Sequence, residues 1–383
     1  MINEANLLIQ VGFFVKFLVI KMGKFLRLHW FTYCLLVFII SRLIMLYEYN
    51  LASDILFKHS QDFFTTMCKW DCKWYITIIQ NGYDENVRTY PKVWKGLANW
   101  AFFPLYPYTV KFLVAVTHLK DIVVGVLINQ LLIFAAIIIF YKYFKLFVDE
   151  LHSRFGIFLV AFSPFSIYFA SVYTEAMFLF LSLSSFYFMR INRPYISAIF
   201  GGLLSATRPV GVMFSAAYLL YSTKKYGFKF KVILGFLIAI SGLLLYMTYL
   251  HFHVGDALAF EHIQKGWGRK GIDTRHITSQ LLRMLQDYHN SVLFIFSCII
   301  SLYLLWNKYF EEALFNFLCI LPGVMTGQMM SEGRFSGTLF TFYLGLVLIS
   351  NKSNSLKISL LIGFLVFYLS YFLYWIAHAS FLI

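Results

Sequence analysis

The segment Lys69-Trp70-Asp71-Cys72-Lys73-Trp74-Tyr75 sets one carboxylate among three aromatic rings. Two readings fit it. Trp70, Trp74 and Tyr75 can form an aromatic belt at a membrane surface around a solvated acid. Alternatively, Asp71 is a general base that takes a proton from an acceptor hydroxyl during sugar transfer. In that case the rings would partly dehydrate the carboxylate, raise its basicity and stack on a sugar face.

Further polar residues occur at the ends of apolar runs. Asn99-Trp100-Ala101-Phe102-Phe103-Pro104-Leu105-Tyr106-Pro107 closes the same segment, and its prolines break a helix and fix an entry angle, a structural role. Ser163-Pro164 leads to Tyr173-Thr174-Glu175, where Glu175 either caps the following helix or faces a reaction cavity. Thr207-Arg208-Pro209-Val210-Gly211 puts a guanidinium at a corner between two short runs, suited to a phosphate or to snorkelling. The stretch from Gly255 to Lys270 contributes His262, Trp267 and Arg269, a mixture that fits a polar headgroup site or a solvated loop. Ser331-Glu332-Gly333-Arg334-Phe335 offers one more arginine with the same two readings.

The elements that must carry these residues follow from composition. Of 383 residues, 60% are apolar, 20% aromatic and 13% charged. Soluble domains have about 45–50% apolar and about 25% charged residues, so a water-soluble globule, a disordered chain and a disulfide scaffold are excluded. The apolar runs are continuous and not dyad-alternating, which argues against an outer-membrane barrel. A membrane-spanning helix takes roughly 20 residues. The runs predict an all-α polytopic protein, a single transmembrane domain over 1–383 with about eleven spans. They lie near 30–47, 122–141, 155–172, 176–189, 196–207, 210–221, 232–250, 291–306, 313–329, 336–350 and 358–381. The pair flanking Arg208 is short and resembles one broken pair of half-spans. The run 102–119 holds Pro104, Pro107 and Lys111 and predicts a juxtamembrane or re-entrant helix.

The net charge of +14 marks topology and anionic lipid, not nucleic acid, for which no motif is present. With the N-terminus inside, the inner loops carry Lys142, Lys145, Arg154, Arg190, Arg193, Lys224, Lys225, Lys229, Lys231, Lys308, Lys352 and Lys357. The short outer loops carry only Arg208 and Arg334. The two long polar segments, 48–120 and 252–290, then share the extracytoplasmic face. The run 7–20, followed by Lys21, Lys24 and Arg27, has no small-residue cleavage site and predicts an interfacial helix on the cytoplasmic face. Cys34, Cys298 and Cys319 lie in apolar runs and read as small core residues. Cys68 and Cys72 read as two free thiols, in preference to a strained local bridge, and their spacing is not that of a zinc site.

Taken in order, these blocks resemble the PIG-V family. They are Trp70-Asp71-x-x-Trp74-Tyr75 with Asn81-Gly82-Tyr83; Ala101-Phe102-Phe103-Pro104-Leu105-Tyr106-Pro107; Ser163-Pro164 through Glu175; Thr207-Arg208-Pro209-x-Gly211; and Gly255-Asp256-Ala257-Leu258-Ala259-Phe260 with Trp267-Gly268-Arg269. The family comprises mannosyltransferases of glycosylphosphatidylinositol (GPI) biosynthesis and their prokaryotic relatives. The resemblance covers about 30–350 and looks prokaryotic. Where the family often has Asn, this chain has Val210. The resemblance implies a GT-C glycosyltransferase fold and a catalytic acid, Asp71, in the first outer loop. It implies a polyprenyl- or dolichyl-phosphate mannose donor and inversion at the anomeric carbon.

The resulting expectation is an integral-membrane glycosyltransferase of a prokaryotic cytoplasmic membrane, or of the endoplasmic reticulum in a eukaryote. It would transfer a sugar to a lipid-linked or glycan acceptor. Asp71 is the expected base. Trp70, Trp74, Tyr75, Glu175, Arg208, His262, Trp267, Arg269 and Arg334 are the expected substrate contacts. No metal ligand set is expected. Membrane lipids and an accessory membrane subunit are the expected partners, and the competing class is a lipid or solute transporter.

Overall fold

The computed structural model describes residues 28–52, 62–89, 95–269, 288–326 and 331–377. The expected interfacial helix at 7–20 lies outside them. The described residues form helices and connecting turns, with no strand among them.

The first long apolar run becomes α1 (Trp30–Ala52). The first polar segment holds a single turn, α2 (Phe63–Thr66), capped by the Asp62 carboxylate on the Thr65 amide. It continues into α3 (Cys72–Asn81) and then α4 (Leu105–Thr117), which starts directly after Pro104. On α4, Tyr106, Pro107 and Val110 face inward while Tyr108, Phe112 and Val116 stay exposed. That outward apolar stripe fits the juxtamembrane helix expected at 102–119.

Next come α5 (Asp121–Phe144), α6 (Glu150–Ala161), the short α7 (Ser166–Ala170) and α8 (Glu175–Arg190). The chain then forms α9 (Pro194–Ser205), α10 (Phe214–Tyr226) and α11 (Phe230–Val254). After the short α12 (Ala259–His262) follow α13 (Tyr288–Trp306), α14 (Phe310–Met325) and α15 (Glu332–Gly337). The last two are α16 (Phe340–Ser350) and α17 (Asn354–Ile376).

Each apolar run within the described residues therefore has a helix, but a helix is not by itself a crossing. Among the described residues, α1, α5, α11 and α17 are long and apolar enough to cross a membrane. The expected count of about eleven spans is not confirmed by these, since most of the other described helices are short or interrupted. A 12-residue helix such as α9 is about 18 Å long against a core of about 30 Å. Between α9 and α10 the chain passes through an extended Arg208 and a 3₁₀ turn, Pro209–Met213, so the broken pair expected there is present. Polar breaks also divide α6 from α7 and α7 from α8.

Small residues allow the helices to approach closely. A side chain on Gly202 of α9 would stand 2.6 Å from the carbonyl of Ile238 in α11. One on Gly242 of α11 would collide with the Gly202 carbonyl. Such small-residue crossings are how helices gain contact where lipid removes the hydrophobic drive. Gly211 has the same role at the break, where any Cβ would run into the Leu204 carbonyl.

Opposite the break, at the far end of α8, Arg190 donates to Glu312 Oε2 at 2.5 Å and to Glu311 at 2.8 Å. Tyr143 also donates to Glu312. Both glutamates are buried, so this cluster ties α5, α8 and α14 through paired charge.

Three stability outcomes follow. Gly211→Ala lowers Tm in detergent, with a cost of about 1–3 kcal/mol for forced overpacking. Gly363→Ala, where a Cβ meets nothing within 4 Å, leaves Tm unchanged or slightly higher. Glu312→Gln leaves Arg190 without its bidentate partner and costs about 3–5 kcal/mol, the usual effect of breaking a buried pair.

Candidate active site

The segment carrying Asp71 is held from several sides. Trp70 adopts φ of 43°, a left-handed conformation that a bulky residue takes only when its surroundings impose it. This folds 68–72 into a tight turn whose end residues have Cα atoms 5.1 Å apart, and Cys68 and Cys72 form a disulfide. The expectation of two free thiols is corrected here. Spacing alone does not reveal that residue 70 turns left-handed and brings the two sulfurs together.

The end of α17 clasps the same turn. Lys69 Nζ donates to the carbonyls of Trp375 (2.6 Å) and Ile376 (3.0 Å). The Trp375 indole donates to the Thr66 carbonyl at 2.8 Å, and its ring meets Trp70 edge-on at 4.8 Å. Tyr173 donates to the Lys69 carbonyl at 2.9 Å. Burial pushes the Lys69 ammonium down, to about 8. The free carbonyls of the last helical turn still favour a cation there.

Asp71 occupies the N-cap of α3, yet its side chain caps nothing there. It turns instead to Arg334, with Oδ2 2.8 Å from Nη1. Arg334 Nε lies 3.1 Å from Glu175 Oε1, and Arg208 Nη1 lies 3.3 Å from that same oxygen. Glu175 is the first residue of α8, Arg208 precedes the 3₁₀ turn, and Arg334 lies on α15. Four segments distant in sequence thus meet in one chain of charges.

Aromatic rings enclose that chain. The guanidiniums of Arg208, Arg334 and Arg269 lie 4.6, 5.0 and 5.8 Å from the ring centre of Phe335. Arg334 also sits 5.2 Å from Tyr173 and 5.8 Å from Tyr168. Burial works against the Arg334 charge, but Asp71 and Glu175 more than offset this and shift its pKa upward. Asp71 and Glu175 thus stand among guanidiniums of Arg208 and Arg334, a grouping of cations of the kind that can also receive an anion.

The remaining expected contacts divide. Tyr75 is buried, its hydroxyl 3.4 Å from Thr174 Oγ1 beside Glu175. Trp74 is also buried, stacked on Phe102 at 5.7 Å with Arg88 4.7 Å above it. Trp267 reaches Trp74 edge-on at 5.5 Å, which brings the second long polar segment against the first. His262 lies elsewhere, half-exposed and bonded to Asp256 at 2.7 Å. That bond holds the Asp256 carboxyl below its usual range. Among the described residues no His, Cys, Asp and Glu group gathers as metal ligands would.

The turn at 99–107 is structural, as its prolines suggest. Asn99 and Asp84 exchange backbone bonds of 2.9 and 3.0 Å, and the Trp100 indole donates to the Asp84 carbonyl at 2.6 Å. Supporting residues that sequence reasoning missed are Lys69, Asn129, Phe335 and Trp375. Asn129, buried in α5, donates to the carbonyls of Ser171 and Tyr173 (the latter at 2.9 Å) and to the Tyr106 hydroxyl at 3.2 Å. It supports the irregular turn that delivers Glu175. A lone Asn inside an apolar run was its available signal. Phe335 and Trp375 carried none, because one more aromatic residue does not stand out in a chain that is one-fifth aromatic.

No family model matches the sequence, and no curated protein matches it. Among solved structures, the fold is similar to the oligosaccharyltransferase of Archaeoglobus fulgidus in its apo form, with a TM-score of 0.49, 12% identity, and coverage of 89% of this chain and 56% of that one. For the form tethered to an acceptor peptide the TM-score is 0.46, with 14% identity and coverage of 91% and 55%. For the complex with an inhibitory peptide and a dolichol-phosphate the TM-score is 0.45, with 13% identity and coverage of 92% and 56%. The chain spans about half the length of these proteins.

Trp375→Phe keeps a ring against Trp70 but leaves the Thr66 carbonyl unpaired. The expected cost is about 1–3 kcal/mol, seen as a lower Tm together with faster proteolysis of the 62–72 segment.

Proposed function

We propose that this chain is an integral-membrane glycosyltransferase that takes a sugar from a polyprenyl-phosphate donor and passes it to an acceptor hydroxyl with inversion. The observation that carries this reading is one part-exposed carboxylate, Asp71, at the open end of a buried arginine cluster. An acid beside a cluster of guanidiniums is what such a transfer needs.

The acceptor O–H gives its proton to Asp71 while its oxygen forms a bond to the anomeric carbon. The bond from that carbon to the phosphate oxygen breaks, and its electron pair stays on the phosphate. The leaving group gains one negative charge, which Arg208, Arg269 and Arg334 stabilise. A phosphate is a good leaving group, so no acid partner is required. Trp70 beside Asp71 offers a ring for a sugar face. Mannose as the sugar, and dolichyl or another polyprenyl as the lipid, follow from the PIG-V resemblance of the motif blocks.

Asp71→Asn in purified protein, with polyprenyl-phosphate mannose and a panel of acceptors, tests the assignment. Loss of the base is expected to reduce transfer by about 10²–10⁴-fold. Wild-type rates in the variant would reject Asp71 as base. Absence of transfer by the wild type, together with lipid flux in liposomes, would favour a transporter.

A further inference from the structure

We infer that an incoming phosphate and Asp71 compete for the same edge of Arg334, so that the site gains its base only once phosphate has bound. The inference rests on the glycosyltransferase reading for its meaning, and its physical core is tested without any transfer.

Three observations point to exchange. The first is a gradient of exposure along the ion-pair chain: the side chain of Asp71 is 25% exposed, that of Arg334 9% and that of Glu175 1%. A ligand therefore reaches Arg334 from the Asp71 end. The second is confinement. Tyr168, Tyr173 and Phe335 surround the Arg334 guanidinium within 5.8 Å, so it cannot swing out to meet a ligand elsewhere. Its Nη1 edge, which Asp71 holds, is the edge on offer.

The third is that Glu175 is placed as an anchor. Its Oε1 lies within 3.3 Å of both Arg334 Nε and Arg208 Nη1. Through Glu175 the two guanidiniums remain side by side whether or not Asp71 holds the outer edge. Glu175 is thus a positioning residue, and Arg334 changes partner between carboxylate and phosphate.

The exchange has a functional consequence. A carboxylate oxygen held by a guanidinium is already engaged, and one released beside a bound phosphodiester can accept the hydrogen bond of an acceptor hydroxyl instead. Deprotonation of the acceptor is then coupled to occupancy by the donor, and the enzyme avoids presenting an activated base to water alone.

The test is titration calorimetry with citronellyl phosphate, a short prenyl phosphate, and separately with inorganic phosphate. Removing a competitor tightens binding, so Asp71→Asn is expected to lower the Kd for citronellyl phosphate by about tenfold, within the usual span of linked sites. Glu175→Gln removes the same charge but also the anchor, so its Kd rises. Equal tightening by both variants would mean simple charge relief and overturn the exchange. No binding of either phosphate to the wild type would overturn it as well.

Should Glu175→Gln fail to fold, infrared difference spectra of the wild type decide the matter. Citronellyl phosphate is expected to shift a carboxylate band that is missing in Asp71→Asn, and an unshifted band rejects the exchange. A response to inorganic phosphate as strong as that to citronellyl phosphate assigns the site to the phosphate group alone. A response confined to the prenyl phosphate adds lipid recognition to it. A shifted band without sugar transfer leaves the exchange standing and removes the enzyme reading. Transfer without a shifted band does the reverse.

Discussion

A guanidinium taken out of water must find negative charge, and Arg334 is that guanidinium. Removing one partner of such a pair exposes the whole desolvation cost of the other. Arg334 meets this demand with Asp71 and Glu175, residues from opposite sides of the first half of the chain. Three corners of the bundle are therefore required to meet. The tight turn before α3, the irregular link before α8 and the short α15 all serve that meeting. The same arrangement sets two guanidiniums within 3.3 Å of one carboxylate oxygen, a concentration of donors that an anion can share.

Breaking helices near a bilayer leaves backbone groups in need of partners. Each break here is satisfied by a specific side chain. Asn129 serves the carbonyls before α8, Lys69 serves those at the end of α17, and Asp84 and Asn99 serve each other ahead of α4. Gly211 contributes by having no side chain, which lets the 3₁₀ turn sit on the Leu204 carbonyl. The site thus depends on departures from helical regularity, and each departure is secured by a polar contact or a close approach.

How much of this was legible depended on range. Continuous apolar runs located α1, α5, α11 and α17, because local composition alone makes a spanning helix. Thr207-Arg208-Pro209-x-Gly211 located the break, since proline and arginine inside an apolar stretch have few other uses. The residues of the charge cluster were visible one by one as polar exceptions at run ends. Their pairing was not, because Asp71 and Arg334 are 263 positions apart and sequence periodicity carries no information at that distance. The bridge between Cys68 and Cys72 depended on the backbone of Trp70, a conformation no residue type announces. The number of crossings was not legible, because apolar composition alone does not show whether helices of a dozen residues reach through a membrane.

The clasp between the Asp71 turn and α17 also bears on biogenesis. Lys69 and its acceptor on Trp375 are separated by 306 positions. At about 5–20 residues per second, a translating ribosome takes roughly 15–60 s to cover that gap. For that interval the early turn has neither the carbonyls that receive Lys69 nor the indole that braces Thr66. The earlier part of the chain therefore inserts with this turn unbraced, and α17 completes the clasp. The geometry of the Asp71 turn is therefore set late, by a helix whose Trp375 is made 306 residues after Lys69, and any step that delays the docking of α17 delays that corner as well.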